Sequence, residues 1–173
     1  MANDLALLVI DMQQGLFDEG PYQPDKVLTQ VKSLIADARK TNVPVIYVQH
    51  NEDPQWGGTL VAGKPGHDIH HDIAPKAGEV IIQKHHGNAF EDTNLQAVLE
   101  EKGIKRLIIC GMQTDECINA SSRGAHALGY DVTLVGDAHT TGNSDKARQI
   151  IEDHNKALNE VAKVKPTAEI TFA

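Results

Sequence analysis

Three polar residues stand where apolar runs end. Asp11 follows LALLVI at 5–10, Lys84 follows EVIIQ at 79–83, and Cys117 lies in a polar turn beyond the run Leu107–Cys110. A carboxylate on the last step of a buried strand is costly unless it is paired or used. A cysteine where a helix begins sits beside unpaired N–H groups and the positive end of the helix dipole, and both favour the thiolate. Those N–H groups can also receive a developing oxyanion. Together the three types suit acyl transfer. The thiol attacks a carbonyl, Asp11 takes its proton and returns it to a leaving amine, and Lys84 steadies the thiolate. His85 and His86 adjoin Lys84, but no histidine is obviously placed to pair with the cysteine.

The elements that must gather these residues follow from periodicity. Leu5–Ile10 is apolar without alternation, as a strand covered on both faces would be. Asp25–Thr41 carries Val27, Val31, Leu34, Ile35 and Ala38 at helical spacing. Strands are expected at 44–49 (PVIYVQ), 79–83, 107–110, 130–136 (YDVTLVG) and 167–172 (TAEITF), and helices at 92–102, after Cys117 as far as Gly129, and at 144–164. Residues 137–142 read as a turn. Residues 50–78 form a long excursion without periodicity, and such loops commonly wall a pocket. Trp56, the single tryptophan, lies in it beside Gly57 and Gly58. Strands alternating with helices predict an α/β chain, one domain over 1–173, with an open six-stranded, mainly parallel sheet and helices on both faces. Sites in such sheets lie beyond the carboxyl ends of the strands, which is where Asp11, Lys84 and Gln113–Cys117 fall.

Composition narrows the classes of function. A net charge of −8 argues against nucleic acid or an anionic membrane as partner. No apolar run approaches the roughly 20 residues needed to span a bilayer. The N-terminus lacks a basic segment followed by an apolar stretch, so a reduced, cytoplasmic setting is expected, with Cys110 and Cys117 unpaired. The turn after the first strand, DMQQG, lacks the glycine pattern of a dinucleotide site. No cofactor is expected.

With these pieces in order, the sequence resembles the isochorismatase-like cysteine hydrolase superfamily, which includes nicotinamidases and N-carbamoyl-amide hydrolases. LLVIDMQQGLF, GEVIIQKHHGNAFEDTNL and CGMQTDECINASSRGAHALGYDVTLVGDAHTT carry the resemblance over nearly the whole chain. It implies a catalytic triad of Asp11, Lys84 and Cys117, a cis peptide at Met112–Gln113, and an oxyanion hole from the backbone N–H groups of Gln113 and Cys117. It suggests Phe17, Trp56 and Phe90 as substrate contacts, a small-molecule substrate, and a homo-oligomer. The implied reaction is cleavage of a C–N bond in a small amide, ureide or carbamoyl compound through a thioester. Nicotinamidases of the superfamily carry an Asp-x-His metal motif after the second strand. Here that stretch reads His50-Asn51-Glu52, so no metal is expected. His67, His70 and His71, with Glu52 or Asp68, have ligand-like spacing and leave a metal-assisted hydrolase as one alternative. A non-catalytic binding protein on the same scaffold is the other.

Overall fold

A computed structural model describes residues 3–173. Six strands, β1 (Leu5–Ile10), β2 (Val45–His50), β3 (Val80–Lys84), β4 (Arg106–Met112), β5 (Asp131–Thr140) and β6 (Lys163–Lys165), form one sheet in the order β3-β2-β1-β4-β5-β6. Every neighbouring pair is parallel. The direction of winding changes between β1 and β4, so their carboxyl ends open the crevice that such sheets use for ligands.

β1 shows why its sequence does not alternate. Leu5, Leu7 and Val9 point into a cluster with Val27, Val31, Leu34 and Ile35 of α2 (Pro24–Lys40). Ala6, Leu8 and Ile10 point the other way, towards Leu95 and Leu99 of α3 (Leu95–Glu101) and Ala125 of α4 (Asn119–Ala127). Both faces are dry, and the strand is apolar throughout.

Several expected boundaries move. The sixth strand is Lys163–Lys165 and not Thr167–Phe172, because Pro166 interrupts the ladder and Asp137 Oδ1 captures the Thr167 N–H at 2.8 Å. Thr167–Glu169 is a 3₁₀ turn, and Phe172 still enters the core from irregular chain. β5 continues through the expected turn at 137–142 as far as Thr140, since its pairing with β4 resumes as Gly111↔His139 and Met112↔Thr140 after a register shift. The last helix, α5 (Ala147–Ala157), is shorter than expected and passes into a 3₁₀ turn at Leu158–Glu160. A short helix, α1 (Gln14–Asp18), follows Asp11 where no helix is expected. The excursion after β2 holds three 3₁₀ turns, at Pro54–Trp56, Pro65–His67 and His71–Ile73.

Candidate active site

Asp11, Lys84 and Cys117 converge. Lys84 Nζ lies 3.0 Å from Asp11 Oδ2 and donates to Cys117 Sγ at 3.2 Å. Asp11 and Lys84 stand at the ends of strands two places apart, roughly 10 Å, a gap that an extended lysine side chain bridges. Both side chains are buried, and the thiol is half-buried. Asp11 adopts a left-handed backbone (φ 51°) and donates its N–H to Val48 O at 2.9 Å. Its Oδ1 is buried and has no hydrogen-bond partner among the described residues.

Cys117 does not open an ordinary helix. It lies in a single π turn, Thr114–Ile118, that precedes α4, a local form frequent at functional sites. The Met112–Gln113 peptide leading into it is cis. Glu116 and Ile118 both donate to Gln113 O at 3.1 Å, while the Gln113 N–H meets no acceptor among the described residues. β5 holds the turn from beyond. Thr141 Oγ1 donates to Asp115 Oδ1 at 2.7 Å, and Thr114 Oγ1 is 2.7 Å from His139 Nδ1. His139 Nε2 in turn is 2.7 Å from Asn155 Oδ1. Asn155 Nδ2 donates to Gly136 O, so its Oδ1 is the acceptor. His139 therefore carries its proton on Nε2, and Nδ1 receives the Thr114 hydroxyl.

Burial, reinforced by the Asp11 charge, pushes the Cys117 thiol up to about 12, against the pull of Lys84. Desolvation also raises the Asp11 carboxyl, with Lys84 and the thiol opposing it. Burial thus favours the neutral thiol at rest, against the help that the helix start and the lysine give the thiolate.

Two residues to which the sequence reading gives no role surround the lysine. His50 Nδ1 accepts from Lys84 Nζ at 2.8 Å. The buried carboxamide of Gln13 donates to His50 O and to His67 O, both at 3.0 Å, and accepts from the His50 N–H at 2.9 Å. His50 pairs in register with Lys84 across β2 and β3, a relation visible only once the strands are aligned.

The remaining candidates separate. Phe17, on α1, packs edge-on to His70 at 4.7 Å. Phe90 stacks on Tyr130 at 5.7 Å and leans on the apolar cluster, so it serves as packing and not as a pocket wall. Trp56 is 78% exposed, outside a cavity of about 480 Å³ lined by Asn51, Glu52, Asp53, Pro54, Val61, Ala62 and His85. The histidine trio is divided. His67 Nε2 bonds Asn51 Oδ1 at 2.8 Å, whereas His70 and His71 group with Asp72 on an exposed turn. Glu52 and Asp68 join neither group. His70 Nδ1 is already occupied by the Asp72 N–H.

Comparisons with known proteins identify the family. The isochorismatase domain model matches residues 5–166. The uncharacterised isochorismatase family protein YddQ of Bacillus subtilis is 36% identical over 79% of this chain and 77% of its own length. A streptothricin hydrolase of Streptomyces noursei is 31% identical over 89% of this chain, which spans 56% of that protein. A crystal structure from Oleispira antarctica, assigned as an isochorismatase hydrolase, superposes with a TM-score of 0.91 at 32% identity, covering 98% of this chain and 96% of that one. The N-carbamoylsarcosine amidase of Thermoplasma acidophilum gives 0.81 at 25% identity, covering 96% and 98%. The chain is a hydrolase of the isochorismatase family.

Proposed function

We propose that the protein hydrolyses a C–N bond in a small amide, ureide or carbamoyl compound through a thioester on Cys117. The observation that carries this reading is the buried contact of Lys84 Nζ with both Asp11 and Cys117, beside an Asp11 Oδ1 that has no partner among the described residues. The relatives named for streptothricin hydrolysis and for N-carbamoylsarcosine cleavage support the substrate class.

Each residue then has one task. The Cys117 proton passes to Asp11 as Sγ bonds to the carbonyl carbon. The resulting oxyanion lies against the backbone N–H groups of Gln113 and Cys117. Asp11 returns the proton to the nitrogen, the C–N bond breaks, and the amine departs. Water then loses a proton to Asp11 and attacks the thioester. The C–S bond breaks, and the proton goes back to sulfur. Lys84 stabilises the thiolate whenever it forms. Phe17 on α1 and the loop carrying Trp56 are the proposed substrate walls. We further propose a homo-oligomer working in the cytoplasm. The two free cysteines suit a reducing compartment, and no helix among the described residues is long and apolar enough to cross a membrane.

The test is ammonia release from a panel of small amides, ureides and N-carbamoyl amines, with Cys117→Ala as control. The reading predicts release by the native protein alone. Release by the variant at a comparable rate would overturn it.

A further inference from the structure

The Lys84 ammonium has three protons and four neighbours: Asp11 Oδ2 at 3.0 Å, Cys117 Sγ at 3.2 Å, His50 Nδ1 at 2.8 Å and the His86 carbonyl at 3.0 Å. In the proposed reaction Asp11 and Cys117 trade a proton, so both change charge as acceptors. The other two do not change. A lysine fixed only by Asp11 and Cys117 would be pulled first one way and then the other within each turnover.

His50 is built to stay constant. An ammonium only donates, so Nδ1 must be the acceptor and the ring proton sits on Nε2. That nitrogen has no hydrogen-bond partner among the described residues, so nothing opposes this tautomer. Burial first, then Lys84, His85 and His86, hold the imidazole down to about 4, and it is neutral at neutral pH. Its backbone is equally fixed. Gln13 pairs with both the N–H and the carbonyl of His50, and Gln13 lies two residues beyond Asp11. Asp11, Lys84, His50 and Gln13 therefore form a closed ring, joined through ion pair, hydrogen bonds and the short chain at Met12.

We propose that His50 is a positioning residue, a neutral acceptor that holds Lys84 Nζ in place while Asp11 and Cys117 exchange the proton. This rests on the roles given above to Asp11, Lys84 and Cys117. Without His50 the ammonium turns towards the carboxylate, and the thiolate loses its counter-charge.

The test needs no substrate. Cys117 is alkylated with iodoacetamide across a pH series, while buried Cys110 serves as an internal unreactive thiol. His50→Ala, His50→Asn, Lys84→Met and the native protein are compared. The asparagine Oδ1 can stand where Nδ1 stood. The expected result is alkylation about tenfold slower in His50→Ala, with its pH profile displaced about one unit upward. His50→Asn should stay within about threefold of native, since it restores the acceptor to the ammonium. Lys84→Met should be slowed at least as much as His50→Ala. Should His50→Ala fail to fold, His50→Leu, which keeps the volume without the acceptor, takes its place. Native or faster alkylation in the acceptor-free variant would overturn the proposal, as would equal slowing in His50→Asn. Native alkylation in Lys84→Met would instead overturn the role of Lys84 itself, so the two failures are distinguishable.

Discussion

Cys117 keeps its proton until something takes it. With the thiol pushed up to about 12 by burial and by Asp11, the proposed reaction depends on transfer to the carboxylate during attack. Asp11→Asn separates the two effects. It removes the charge that raises the thiol, so iodoacetamide titration should show Cys117 ionising at lower pH. It also removes the proton acceptor, so hydrolysis should fall by about 10²–10⁴-fold. Slower hydrolysis without the downward thiol shift would contradict this. Desolvation raises the Asp11 carboxyl, and in the proposed mechanism the ionised form is the active one. Turnover should therefore fail on the acid side, with a midpoint above the ordinary carboxylate value of 3.8. His139 couples stability to pH. Burial lowers it from 6.5 to about 4, so unfolding binds an extra proton between those values. Its contribution, about 3 kcal/mol at most, is complete above pH 6.5 and is lost as pH falls through that window. Thermal melting of the native protein and His139→Gln should converge as pH drops towards 4. Parallel curves would contradict the assignment. Asp11, Lys84 and Cys117 were legible because each is a polar residue ending or following an apolar run. His50 and Gln13 were not, because their roles depend on register between strands distant in sequence.

At the scale of the element, the decisive contact is β1 against β4. Ile10 pairs with Gly111, which has φ 126°, and a Cβ there would meet Ile10 O at 2.0 Å. Only glycine lets the strand ends approach closely enough to set Asp11 beside the Cys117 turn. Gly111→Ala should cost more than about 2 kcal/mol in urea unfolding, and native stability would refute the close approach. The central strands could be read because they are apolar on both faces. The last strand could not, since TAEITF looks like a strand while the ladder is taken by the polar Lys163–Lys165. The π turn also escaped notice. Its bonds to Gln113 O follow from backbone geometry that residue spacing after Gly111 does not encode.

Across the whole molecule, one parallel sheet brings together residues 106 positions apart in the chain, and the order β3-β2-β1-β4 sets Lys84, His50, Asp11 and Cys117 in sequence across its carboxyl edge. The homo-oligomer proposed above is a claim at this scale. Sedimentation should therefore give a mass of at least two chains, and a single-chain mass would contradict the proposed oligomer. The loop proposed to wall the substrate, the excursion after β2, is the least periodic part of the chain, where pattern carries least information. The central claim concerns a covalent bond at one atom. Native protein turning over an active amide should be quenched in acid, digested, and the Cys117 peptide weighed. The account predicts that this peptide gains the mass of the substrate's acyl group, and that the Cys110 peptide does not. Sustained turnover with an unmodified Cys117 peptide at every quench time, together with undiminished hydrolysis by Cys117→Ala, would contradict it.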